Sequence, residues 1–144
     1  MNLENKYIKD FDLWNSKKKE LEKRVLPDDF FFLEGEVWWA MLGINIGHEI
    51  DGKNELFERP ILVFKKQDEN MLLALPITST MRGGEHFHKM KYKGSDRTLL
   101  LSQPRAISSK RLLRLIYRIT NEEFVAIQSE MRPVLTPIKA IPSG

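Results

Sequence analysis

The apolar residues of this chain fall into three zones that differ in spacing. In residues 7–25, Phe11, Trp14, Leu21 and Val25 keep the three- and four-residue spacing of one helical face, while Lys17, Lys18, Lys19 and Glu20 take the rest. That pattern predicts an amphipathic helix packed on the body of the protein. Pro27-Asp28-Asp29 ends it, and Phe30 to Leu33 read as an apolar lead-in to a strand. In the middle zone the apolar residues come in short runs rich in Val, Ile, Leu, Trp and Phe. These predict strands over 36–42, 60–66, 71–77 and 97–102, with a weaker one around 86–92. Asp68-Glu69-Asn70 between two of them reads as a hairpin turn. After 108 the spacing turns helical again. Ser108 and Ser109 can cap a short basic helix over 110–115. Thr120 and Glu123 fit a capping box opening a last helix, with Phe124, Ile127 and Met131 on one face and Pro133 and Pro137 as terminators. Antiparallel strands followed by helices predict an α+β fold, a small and strongly bent sheet or half-open barrel.

Composition narrows the class. A chain of 144 residues forms one core without staples. Cysteine is absent, which rules out disulfides and thiolate metal sites and fits a cytoplasmic location. No apolar stretch approaches the roughly 20 residues of a membrane span, and Asp10 and Asp12 break any leader-like layout, so no membrane partner is expected. A formal charge of +3 permits an anionic partner without selecting one.

Each strand run ends in a polar cluster: Gly47-His48-Glu49, Arg59-Pro60, Thr78-Ser79-Thr80 and Gln103-Pro104-Arg105. Strands that deliver such groups at their ends build sites on a rigid frame. Pro60 restricts Arg59 to extended backbone and so aims its side chain, and a guanidinium is a fixed fork of donors suited to phosphate. By spacing alone, pairing of Arg59 with Glu55 or Glu58 is the slightly favoured reading, and Thr78 and Ser79 read equally as strand terminators. His48 on its own reads as a loop histidine. His86 and His88 form an H-x-H pair beside Glu85, but no third ligand is near in sequence and no metal or other cofactor is expected. Arg82, Lys89, Lys91 and Lys93, interleaved with His86, Phe87 and Tyr92, suit either a solvated hairpin or contact with RNA.

Taken in order, the motifs resemble one family. Gly35-Glu36-Val37-Trp38, Gly47-His48-Glu49, Arg59-Pro60-Ile61-Leu62-Val63, Pro76-Ile77-Thr78-Ser79 and Gln103-Pro104-Arg105-Ala106-Ile107, followed by Lys110-Arg111-Leu112, are similar to the series in MazF/PemK toxins of toxin–antitoxin pairs. Each piece is weak; the ordered series, over about residues 35–130, is specific. The resemblance implies an SH3-like half-open barrel over 34–132, an N-terminal helical extension over 1–33 and a tail over 133–144. It implies a homodimeric, metal-independent endoribonuclease that cleaves single-stranded RNA, leaving 2′,3′-cyclic phosphate and 5′-hydroxyl ends, and is neutralised by a cognate antitoxin protein. Carried over, Arg59, Thr78 and His48 are catalytic, and Ser79, Thr80, Arg82, Gln103, Arg105 and Lys91 bind RNA. The chain departs from the pattern in two places. The segment from Glu49 to Arg59 is long, and Leu100 and Ser102 stand where some members carry an arginine and an aspartate. The alternative the resemblance leaves open is a non-catalytic binder on the same scaffold, either a CcdB-like gyrase poison or a degenerate member.

Overall fold

The structure is a computed structural model that describes residues 7–138 and 140–142, so parts of the expected extension and tail (1–6, 139, 143 and 144) lie outside the described residues. Seven strands make one antiparallel sheet: β1 (Glu36–Met41), β2 (Glu58–Lys66), β3 (Met71–Thr78), β4 (Phe87–Tyr92), β5 (Ser95–Leu100), β6 (Arg105–Ser108) and β7 (Leu112–Arg118). Their order is β4-β5-β3-β2-β1-β7, with β6 also on β3. One edge of β3 serves two strands: Met71 to Ala74 pair with β6, and Ile77 and Thr78 pair with β5. β5 and β6 thus lie end to end along this edge with a break in register between them, and such breaks bend a sheet, here into the expected half-open barrel.

Alternation sorts the side chains onto two faces. Trp38, Ala40, Ile61, Val63, Leu72 and Ala74 pack on one, closed by Phe32 from the lead-in. Val37, Leu62, Leu75, Ile77 and Leu99 pack on the other, under Ile127 and Met131 of α2 (Asn121–Leu135). Burying each large aliphatic side chain contributes about 1.5–3 kcal/mol. At the hairpin turn the Asp68 carboxylate accepts the Asn70 and Met71 amides, as the polar triplet predicts.

Five expectations are corrected. The first helix, α1 (Phe11–Glu22), is shorter than 7–25, and only Trp14 of its apolar stripe is buried; Leu21 is half-buried, and Phe11 and Val25 are 46% and 89% exposed. The face is narrow because one indole does the docking, against Met41, Ile44 and Phe57. Residues 110–115 are not a helix. Ser108 caps a single 3-10 turn, Ser109–Arg111, and the chain then runs as β7 against β1. Two register shifts in that pairing break the alternation that would mark a strand. A short strand, β6, follows Pro104 where none was expected. Pro133 lies inside α2, which continues to Leu135, with Val134 packed on the core. Thr120 does cap α2 by accepting the Glu123 amide at 3.2 Å, but the Glu123 carboxylate turns to His88 instead of completing the box.

Candidate functional site

The β2–β3 register places the candidate pair. Ile61 lies opposite Pro76, so two residues further along, Arg59 and Thr78 follow on the same face of neighbouring strands. Both are nearly enclosed, at 6% and 7% exposure. The Arg59 guanidinium does not pair with Glu55 or Glu58. Its Nε donates to the Asp51 carbonyl at 2.7 Å and Nη1 to the Ile77 carbonyl at 3.3 Å. Two of five N–H donors are thus committed to backbone, which fixes the plane of the group and leaves the others for an anion. Burial pushes the Arg59 pKa down, and the Asp51 carboxylate opposes that shift. The Thr78 hydroxyl accepts the Thr80 amide at 3.2 Å.

Glu58 points to the opposite face, where Arg114 of β7 grips both carboxylate oxygens at 3.0 Å and lies over the Trp39 ring. The charge sequence reasoning offered to Arg59 is therefore taken by a strand that was not foreseen.

Above the pair lies the long β1–β2 connection. His48 is exposed on it and borders a cleft of about 400 Å³ with Glu49, Pro76, Gln103 and Arg105. Gln103 holds the connection from below, accepting the Ile50 amide at 2.7 Å and donating to the His48 carbonyl at 3.1 Å. Arg105 donates to the Leu42 carbonyl; burial lowers its pKa and Glu49 opposes this. Arg111, donating to the Met41 carbonyl, is pushed down to about 10 by burial and by Arg105. Three arginines thus end on carbonyls around this connection, each bringing positive charge under it.

The remaining candidates lie elsewhere. Ser79 lines a second, mostly apolar cavity of about 260 Å³ with Arg59, Trp39, Pro60, Met90 and Tyr117, apart from the His48 cleft. Thr80 is exposed beyond Thr78, and Arg82 is exposed with its amide on the Thr98 hydroxyl. Lys91 is exposed on β4 opposite Asp96. The H-x-H pair separates: His86 is exposed, whereas His88 meets Glu130 at 2.6 Å through Nδ1 and Glu123 at 3.4 Å through Nε2. These carboxylates sit on opposite ring nitrogens and cannot share one ion with the imidazole. Among the described residues no cluster of three metal-ligating side chains converges. Leu100 is buried and Ser102 exposed, so neither supplies an acid–base group.

A half-barrel sheet with an arginine and a threonine side by side beneath a long, cation-lined connection defines a class of small toxin folds. The chain belongs to the PemK-like, MazF-like toxins of type II toxin–antitoxin systems, whose family pattern matches residues 33–135. Similar solved structures include MazF from Deinococcus radiodurans, at 18% identity and a TM-score of 0.59, covering 74% of this chain and 98% of that one. An endoribonuclease in complex with its cognate antitoxin, from Mycobacterial species, aligns at 14% identity and a TM-score of 0.55, covering 73% and 95%. The Mycobacterium tuberculosis toxin MazF-mt6 aligns at 15% identity and a TM-score of 0.54, covering 69% and 94%. None of the curated proteins matches the sequence.

Proposed function

We propose that this protein is a sequence-selective endoribonuclease toxin that cleaves single-stranded RNA without a metal. The observation that carries the reading is the pairing of Arg59 and Thr78 on adjacent strands, with the guanidinium clamped by two carbonyls and its other donors uncommitted among the described residues. In the proposed step the ribose 2′-oxygen attacks the adjacent phosphorus while the 5′-oxygen of the next nucleotide leaves. The 2′-hydroxyl gives up its proton and the leaving oxygen takes one. The products are a 2′,3′-cyclic phosphate and a free 5′-hydroxyl.

Arg59 stabilises the charge that builds on the phosphorane oxygens, an effect that preorganised donors in a water-poor site deliver most strongly. Its lowered pKa also brings it closer to donating a proton to the leaving oxygen. Thr78 holds the phosphate through its hydroxyl. His48, borne on the β1–β2 connection, serves as the acid–base partner, since an imidazole can both accept and donate a proton. Gln103 and Arg105 line the path of the RNA, with Ser79, Thr80, Arg82 and Lys91 as outer contacts. Antitoxin complexes among the similar structures support a cognate antitoxin as partner, and the family resemblance supports a homodimer.

The test is incubation of the purified protein with mixed single-stranded RNA in EDTA, followed by analysis of the ends. Cyclic-phosphate and 5′-hydroxyl ends are expected from the wild type, and none from Arg59→Ala that remains folded by circular dichroism. Intact RNA from the wild type, or undiminished cleavage by Arg59→Ala, overturns the assignment and leaves the non-catalytic binder.

A further inference from the structure

The N-terminal segment lies outside residues 33–135, the span shared with the family, yet it reaches straight to the site. The Lys9 ammonium donates to the Asn45 carbonyl at 2.7 Å and the Gly47 carbonyl at 3.1 Å, and pairs with the Asp51 carboxylate at 3.3 Å. Two hydrogen bonds and one ion pair thus tie the ammonium to the same connection. The Tyr7 hydroxyl adds a bond to Asp51 Oδ2 at 3.3 Å. The other oxygen of Asp51 accepts the Asn45 amide at 2.6 Å, closing the connection on itself, and its carbonyl takes Arg59 Nε. One residue thus joins Lys9 to Arg59. Behind it, Trp14 packs edge-on against Phe57, and its indole fills the space above Gly43, so α1 fastens both ends of the connection.

This arrangement closes the His48 side of the site. Arg59 and Thr78 are almost fully covered, and the cleft alongside is lined by His48, Glu49, Gln103 and Arg105 but by neither of them. Arg59 borders the mostly apolar cavity with Ser79, and Thr78 borders neither opening. A phosphate on the His48 side meets Arg59 and Thr78 together only if residues 45–51 lift. We propose that the N-terminal segment is an intramolecular latch: Lys9 and Tyr7 clasp the β1–β2 connection over Arg59, and the toxin becomes competent only when that clasp opens. The nature of the substrate rests on the nuclease reading above; the mechanics of the latch do not.

The experiment uses the full chain as wild type, Lys9→Met (similar length, no donors) and Lys9→Arg (donors restored), with Tyr7→Phe as a milder release. Two readouts are independent of activity: the rate at which phenylglyoxal modifies Arg59, followed by peptide mass spectrometry, and amide exchange over residues 43–52. The third is the initial rate of single-stranded RNA cleavage. Lys9→Met is expected to raise Arg59 modification, amide exchange and kcat/KM by about tenfold, which corresponds to about 1.4 kcal/mol. Lys9→Arg returns all three towards wild type. Unchanged Arg59 modification in both Lys9→Met and Tyr7→Phe overturns the latch. Faster modification with slower cleavage also overturns it, because the segment would then be positioning the guanidinium. Faster modification with no cleavage by any form leaves the latch standing and removes the nuclease.

Discussion

Gly43→Ala probes the joint between α1 and the sheet. Gly43 has φ +78°, where a side chain costs about 1–2 kcal/mol. Its added methyl would fall inside the Trp14 ring, so the indole must leave its site among Met41, Ile44 and Phe57. Emptying a buried tryptophan site costs about 3–5 kcal/mol. Together the substitution is expected to destabilise by about 4–7 kcal/mol, a large part of the 5–15 kcal/mol that usually holds a domain. With a urea m-value of about 2 kcal/mol per M, the midpoint falls by about 2–3.5 M. The decisive comparison is a double-mutant cycle with Trp14→Ala. Once the ring is gone, Gly43→Ala retains only the backbone cost of about 1–2 kcal/mol, so the pair couples by about 3–5 kcal/mol. Equal costs in both backgrounds would refute the packing argument and assign the whole effect to the left-handed backbone.

Arg114→Ala removes the grip on Glu58, a buried carboxylate that keeps only a 3.3 Å bond from Asn54, and is expected to lower stability by about 1–2 kcal/mol in urea titrations. Tyr117 is pushed up to about 12 by burial, Glu123 and Tyr92. Its folded pKa exceeds the unfolded value near 10, so the native state binds the extra proton. Stability is therefore intact below about pH 10 and declines as pH rises towards 12, with a late tyrosinate transition near 295 nm. Tyr117→Phe should remove that transition. Because the buried Tyr117 hydroxyl finds no partner among the described residues, the same change is expected to leave stability equal or raise it by about 1 kcal/mol.

What could be read from the sequence was what side chains announce. The runs at Val37, Ile61 and Leu72 marked strands, and the Asp68-Glu69-Asn70 turn fixed a hairpin whose register brings Arg59 beside Thr78. Arg114 escaped because β7 carries two bulges next to Lys110-Arg111, which blur strand into helix. The clasp on the β1–β2 connection escaped for a different reason. Two acceptors of Lys9 are main-chain carbonyls, and so are both partners of Arg59 and those of Arg105 and Arg111. Every residue owns a carbonyl, so nothing in the sequence marks those at positions 41, 42, 45, 47, 51 and 77.

The strand order has a consequence during synthesis. β1 pairs with β7, joining Glu36 to Arg118, so a nascent chain cannot close its sheet until β7 has cleared the ribosome. Pairings this distant in sequence also form slowly. The barrel is therefore completed only after every one of its strands has been made.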